Sequence, residues 1–153
     1  MKAVIRVQTE DFNLQSEYDA LLEKGANTGA VAGFVGLVRD RDTETPLAHL
    51  FLEHYPEVTE NEIARIVQTA SQRWPLSACT VVHRVGSLSA DDQIVLVLTA
   101  SEHRKAAFAA AEFIMDYLKT EAPFWKKETF SDGLERWVEV KQSDAEAVFQ
   151  WEK

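Results

Sequence analysis

One passage constrains the fold more than any other. An apolar run, Gln93 to Ala100, leads almost directly into an alanine-rich segment that ends near Lys119. The first has the length and β-branched content of a buried strand. The second carries Phe108, Ala111, Met115 and Leu118 at spacings of three and four, the buried stripe of an amphipathic helix. Ser101 stands where it can cap that helix, and Pro123 ends it. A chain that passes straight from strand to long helix must build sheet and helix together, which sets the class as mixed from the start.

The flanking sequence extends this reading. Lys2 to Gln8 alternates as a short strand, and Leu14, Tyr18, Leu21 and Leu22 fall at helical spacing ahead of Gly25, a natural stop. Gly29 to Val38 reads as a buried strand whose glycines admit another backbone or a ligand. Arg39 to Pro46 is a charged surface loop, and Leu47 to Tyr55 a further strand closed by Pro56. Thr59-Glu60-Asn61-Glu62 has the form of a capping box, opening a helix with Ile63, Ile66, Val67 and Ala70 on its buried side and stopping before Pro75. Ala78 to His83 is a strand, joined to the central one through Gly86 and an Ala90-Asp91-Asp92 turn. Phe124 to Phe130 and Glu135 to Val140 flank Asp132-Gly133, a hairpin signal. The tail, Ser143 to Trp151, holds a second, weaker capping box. With no repeat or linker in 153 residues, a single domain over 1–153 is expected, α+β with a largely antiparallel or mixed sheet.

Composition and motifs remove whole classes of function. Sixteen basic residues stand against 25 acidic ones, a net charge of −9 that disfavours nucleic acid. The longest apolar run, Ala30 to Val38, is nine residues with two glycines inside it, too short for a bilayer, and the first residues show no signal core, so no membrane role and a cytoplasmic location are expected. Neither G-x-G-x-x-G nor G-K-[ST] occurs. His49 and His54 differ by five positions and face opposite sides of their strand, and His83 and His103 lack nearby ligand partners, so neither a metal nor a cofactor is expected. Cys79 lies in an apolar strand, where a buried, inert thiol is the ordinary outcome, and a lone cysteine fits a reducing compartment. Any sulfur chemistry must bring its sulfur from outside the chain.

Against this acidic background, four groups of cations stand out: His103-Arg104 at the opening of the long helix, Lys119 at its far end, Lys126-Lys127-Glu128 behind Pro123-Phe124-Trp125, and Arg39 with Arg41. Lys119 also suits the helix dipole, and Lys126 and Lys127 also suit a solvated strand edge. Arg104 opposes the dipole, which points to an anionic partner. Arg104 and Lys119 are fifteen residues apart, about 22 Å along one helix, so a small ligand would be stretched to touch both, and if both serve one site the simplest solution is a homodimer in which one subunit lends its His103-Arg104 end. Three classes remain open on these residues: an enzyme, a non-catalytic anion- or nucleotide-binding module, and an interaction protein that docks a partner through its Phe124-Trp125 hairpin.

A resemblance narrows the choice. Leu52-Glu53-His54-Tyr55-Pro56, Arg73-Trp74-Pro75-Leu76, Val82-His83-Arg84-Val85-Gly86, Ser101-x-His103-Arg104, Phe113-Ile114-Met115-Asp116-Tyr117-Leu118-Lys119 and Ala122-Pro123-Phe124-Trp125-Lys126-Lys127-Glu128 resemble, in order, the large catalytic subunit family of molybdopterin synthase. The match runs from about Gly29 to Val140. It implies an α/β-hammerhead fold and a sulfurtransferase that converts cyclic pyranopterin monophosphate into molybdopterin, inserting a dithiolene. The sulfur would arrive as the C-terminal Gly-Gly thiocarboxylate of a small ubiquitin-like partner, in a heterotetramer around a homodimer of this chain. By motif, Lys119 and Lys126 look like the catalytic lysines. Leu37, Val38, Arg39, His103, Arg104, Lys127 and Glu128 look like substrate-pocket residues. A phosphate and a thiocarboxylate repel each other, and fixed cations let them meet. The pattern departs from relatives at Leu37, often a lysine, and Asp40, often an asparagine, and Lys141 is a candidate replacement charge.

Overall fold

The computed structural model describes residues 1–39, 47–138 and 142–152. The sequence features at Asp40, Arg41, Val140 and Lys141 lie outside them. The strands are β1 (Lys2–Gln8), β2 (Ala30–Leu37), β3 (Leu47–His54), β4 (Leu76–Arg84), β5 (Gly86–Leu88), β6 (Gln93–Ser101), β7 (Phe124–Phe130) and β8 (Glu135–Trp137). The helices are α1 (Leu14–Leu21), α2 (Val58–Arg73), α3 (Arg104–Thr120) and α4 (Gln142–Ala147), followed by a 3₁₀ turn, Val148–Trp151. The first sheet has the order β1-β4-β6-β2, parallel between β1 and β4 and antiparallel elsewhere. The second, β5-β3-β7-β8, is antiparallel throughout and ends in the β7–β8 hairpin. This is the α+β arrangement, with a mixed sheet, that the sequence leads one to expect.

The near-continuous apolar runs of β4 and β6 follow from burial on both faces. Cys79, Val81, Val95 and Val97 pack beneath α2 and α3 against Ile63, Ile66, Val67 and Ile114. Ala78, Val82, Leu96 and Leu98 pack on the other face beneath Phe12 and Leu21. Each such aliphatic side chain, fully buried, is worth roughly 1.5–3 kcal/mol. Gly29 fits only as glycine, because a Cβ there would stand 2.3 Å from the Glu102 carbonyl oxygen. That close approach is to another backbone, one of the two uses its strand suggested. Gly86, at φ +90°, turns the chain out of β4 and into β5 of the second sheet.

Several local expectations are corrected. Ser101 is not a cap: it ends β6, and its hydroxyl donates to the Pro75 carbonyl at 2.7 Å. The N-cap of α3 is His103, without a side-chain cap bond. Phe108 is 66% exposed, because the stripe that faces the sheet is Ala107, Ala110, Ala111, Ile114 and Leu118, one residue round the helix from the expected phase. The Thr59 capping box does not form either. Thr59 is inside α2 and fully buried, its hydroxyl accepting from Tyr55 N and donating to the Pro123 carbonyl, both at 3.0 Å. That oxygen ties the turn before α2 to the start of β7. Ser143 likewise falls inside α4 rather than ahead of it. Helix α1 stops at Leu21, well before Gly25, and buries only Leu21. Strand β2 is a sheet edge rather than a buried strand, with Phe34 and Leu37 exposed. Strand β5 was hidden in the sequence by its three-residue length.

Candidate active site

The end of β2, the last turn of α3 and the inward face of β7 converge on one cavity of about 230 Å³ between the two sheets. A β-bulge between Gly36 and Leu37 breaks the β2–β6 register there. Beyond it the chain is fixed by two backbone bonds, Val38 N to the Asp92 carbonyl at 2.8 Å and Asp91 N to the Val38 carbonyl at 2.7 Å. Val38 is thereby buried, while Leu37 and Arg39 stand at the cavity's wall. Alternation does the rest on β7: Phe124, Lys126 and Glu128 point into the cavity, and Lys127 points away. Lys119 enters from the closing turn of α3.

Lys119, Lys126 and Arg39, far apart in sequence, thus share one lined space. Among the described residues Lys119 has no ion-pair partner. The nearby carboxylate of Glu121 is turned to Arg65 of α2, at 2.6 Å. Glu128 is 2% exposed and holds Arg136 of β8 at 2.8 Å, so its negative charge is offset from the strand next door. Asp144 of α4 completes the wall. Lys127 lies on the opposite sheet face, 3.3 Å from Glu135 and over the Trp137 ring at 5.7 Å. It was expected in the pocket, but the period of the strand puts it outside the cavity.

His103 and Arg104 lie at the other end of α3. They line a separate, more open cleft with Gly29, Trp74 and Lys105. Both are exposed, and the near carboxylate is Glu102, 3.6 Å from His103 Nε2. Within one chain they do not meet Lys119 and Lys126, as the length of the helix requires.

Sequence reasoning missed His83. It has no ligand partner along the chain, and only the fold sets it in the cavity wall. Its ring stacks on Phe124 at 3.9 Å and 20°, and its Nδ1 lies 2.9 Å from the Arg84 carbonyl oxygen. Burial, reinforced by the positive charges of Lys126 and Lys119 and by His54, pushes its pKa down to about 3, so the ring is neutral at physiological pH. Cys79, by contrast, is buried in the core, and desolvation pushes its thiol up to about 12. Such a thiol is no nucleophile. Among the described residues no three His, Cys, Asp or Glu side chains come together as a metal site, and no helix is long and apolar enough to cross a membrane.

Residues 7–121 match the MoaE protein family. The chain belongs to the MoaE family. It is 50% identical over 148 residues to the molybdopterin synthase catalytic subunit of Vibrio cholerae serotype O1, covering 97% of each chain. The structure of the MoaE protein from Burkholderia ambifaria superposes with a TM-score of 0.84 at 50% identity, covering 99% of both chains. A Helicobacter pylori structure described as a complex of subunits 1 and 2 of molybdopterin-converting factor shares the fold, with a TM-score of 0.70 at 19% identity over 90% of each chain. The family named by the sequence motifs is therefore the one to which the chain belongs. The MoaE-type chain keeps its cavity cations on three separate elements, which only the folded sheet pair assembles.

Proposed function

We propose that this chain is the catalytic subunit of a molybdopterin synthase. It transfers sulfur from the C-terminal thiocarboxylate of a small ubiquitin-like subunit to cyclic pyranopterin monophosphate, building the molybdopterin dithiolene. The observation that carries the reading is the convergence of Lys119, Lys126 and Arg39 on one cavity in a protein of net charge −9. Both reactants are anions, and a partly enclosed pocket with fixed cations favours bringing them together. Relatives named as molybdopterin synthase catalytic subunits, matched end to end, support the same reading.

In this scheme Lys119 transfers a proton beside the thiocarboxylate carbonyl, and Lys126 holds the phosphate or the charge of the intermediate. Arg39 and the backbone at Leu37 and Val38 line the substrate's seat, and Glu128 fixes Arg136 beside it. His103 and Arg104 reach the substrate from a second copy of the chain, so the working unit is a homodimer flanked by two small subunits. The small-subunit partner has support from the two-subunit complex of the Helicobacter pylori neighbour. The residues of the cavity need no metal for this chemistry.

The test is reconstitution. Pure protein is mixed with a thiocarboxylated small subunit and cyclic pyranopterin monophosphate, and molybdopterin is read as its fluorescent oxidation product. Product formation that depends on all three components is the expected result. No product from a folded protein that binds the small subunit would overturn the reading.

A further inference from the structure

One wall residue works against a cavity meant for anions. Beside the cations, Glu128 sets a carboxylate into the wall, two residues along β7 from Lys126 and on the same face. Its side chain is 3% exposed, so water does little to mute that charge. A buried carboxylate needs a counter-charge, and β8 supplies one. Arg136 stands directly opposite Glu128 in the β7–β8 register, its Nη2 donating to Oε1 at 2.8 Å. The guanidinium is itself 52% exposed and lies over the Phe130 ring at 5.7 Å. It reaches in from the rim of the sheet, outside the set of residues that line the cavity.

The hairpin makes this pairing specific. Gly133, at φ +88°, and the bond from Leu134 N to Asp132 Oδ1 at 3.0 Å shape the turn. Beyond the pair, Val138 N donates to the Lys126 carbonyl at 2.8 Å. A slip of one residue would turn Arg136 to the outer face and bring Glu135 or Trp137 opposite Glu128, neither of which carries a positive charge.

We propose that Arg136 is a positioning residue for the reaction: by holding Glu128, it keeps that carboxylate's charge off the seat of the anionic substrate. The inference rests on the sulfur-transfer reading above and adds to it a residue outside the expected set. Without the guanidinium, Glu128 and Asp144 would set two carboxylates against Arg39, Lys119 and Lys126 on one wall. The phosphate would then meet a weaker attraction, and binding would suffer more than turnover.

A double-mutant cycle tests this. KM for cyclic pyranopterin monophosphate and kcat are measured, with a thiocarboxylated small subunit, in the wild type, Arg136→Met, Glu128→Gln and the double variant. Thermal unfolding is followed alongside. Arg136→Met should raise KM about tenfold, the effect of one uncompensated charge near the substrate, with kcat changed less. In the Glu128→Gln background the same substitution should leave KM within about twofold, because no carboxylate remains to offset. The same factor in both backgrounds, a loss confined to kcat, or an unchanged KM in folded Arg136→Met would overturn the inference.

Should Arg136→Met fail to fold, Arg136→Lys takes its place, since a single ammonium holds a carboxylate less well than the planar fork. It should raise KM by a smaller factor that disappears with Glu128→Gln. No rise, or a rise that persists with Glu128→Gln, would overturn the inference. Failure of the wild-type protein to make molybdopterin would instead strike the functional reading, whereas an additive cycle in an active wild type strikes this inference alone.

Discussion

The two ends of α3 are built on opposite terms. At its closing turn, Lys119 lies where the helix dipole welcomes a cation, inside a cavity walled by both sheets and shared with Arg39 and Lys126. At its opening turn, Arg104 stands against the dipole, beside an N-cap His103 that makes no cap bond, in an open cleft. The first arrangement is stable without any ligand. The second costs the fold up to about 1 kcal/mol, and no acidic residue in the first turn offsets it. A charge that opposes its own helix is what motivates the proposal of an off-chain partner at the N-terminal end, whereas the C-terminal end is a pocket built within one chain.

The largest expected effect lies in the pocket. Lys119→Ala should lower kcat by roughly 10²–10³-fold, the usual cost of deleting one preorganised group from a charge-stabilising site. Small-subunit affinity should hardly change. A loss of affinity with turnover per bound complex intact would reduce the pocket to a binding module and erase the contrast between the two ends. Arg104→Ala comes next, at roughly tenfold to a hundredfold, because an exposed cation is screened by water. Mixing Arg104→Ala chains with Lys119→Ala chains then separates the geometries. In a shared-site dimer one of the two sites in each mixed dimer is fully wild type, so about half the activity per mixed dimer should return. Verified mixed dimers with none would confine each site to one chain.

What the sequence made legible follows the same division. The strands β4, β6 and β7, the α2 and α3 segments and the hairpin were readable because hydrophobic period and turn chemistry act over a few residues. So were Lys119 and Lys126, whose surrounding blocks resemble the family and which the fold brings to one cavity. The phase of α3 was not readable. Phe108 is the largest apolar residue near its start, yet the five alanines around it let the helix approach the sheet closely through Ala107, Ala110 and Ala111, turning Phe108 outward. Thr59 misled because a hydroxyl that fits a local cap was claimed by a carbonyl 64 residues away. The place of His83 in the cavity wall depends on which strand lies beside which, written nowhere in local spacing, whereas the outward turn of Lys127 follows from the alternation of β7 once Lys126 faces in.

Acid provides a subtler contrast. His83, at the pocket end, is neutral in the fold with a pKa of about 3 against 6.5 when free. Unfolded chains therefore take up its proton first as pH falls, and the folded state loses stability from about pH 6.5 downward toward pH 3. The full contribution is present above that window, and the slope inside it approaches about 1.4 kcal/mol per pH unit for one proton. Urea unfolding across this range should show that slope in the wild type and a shallower one in His83→Gln, whose amide does not titrate. Identical slopes in the two proteins would remove the buried neutral ring from the account.

The smallest effect is the sharpest control on the pocket's outline. Lys126 and Lys127 are neighbours with the same charge, and only the alternation of β7 separates them. Lys127 is held by Glu135 and Trp137 on the outer face, a partly exposed pair worth no more than about 0.5–1 kcal/mol. Lys127→Ala should therefore lower the unfolding midpoint slightly and leave turnover by one chain's cavity near wild type. Lys126→Ala should do the reverse, losing turnover with little change in unfolding. If Lys127→Ala lost as much turnover as Lys126→Ala while remaining folded, the outer face of β7 would belong to the reaction. The site would then extend from the cavity across the second sheet, to wherever the substrate or the partner's tail meets that lysine.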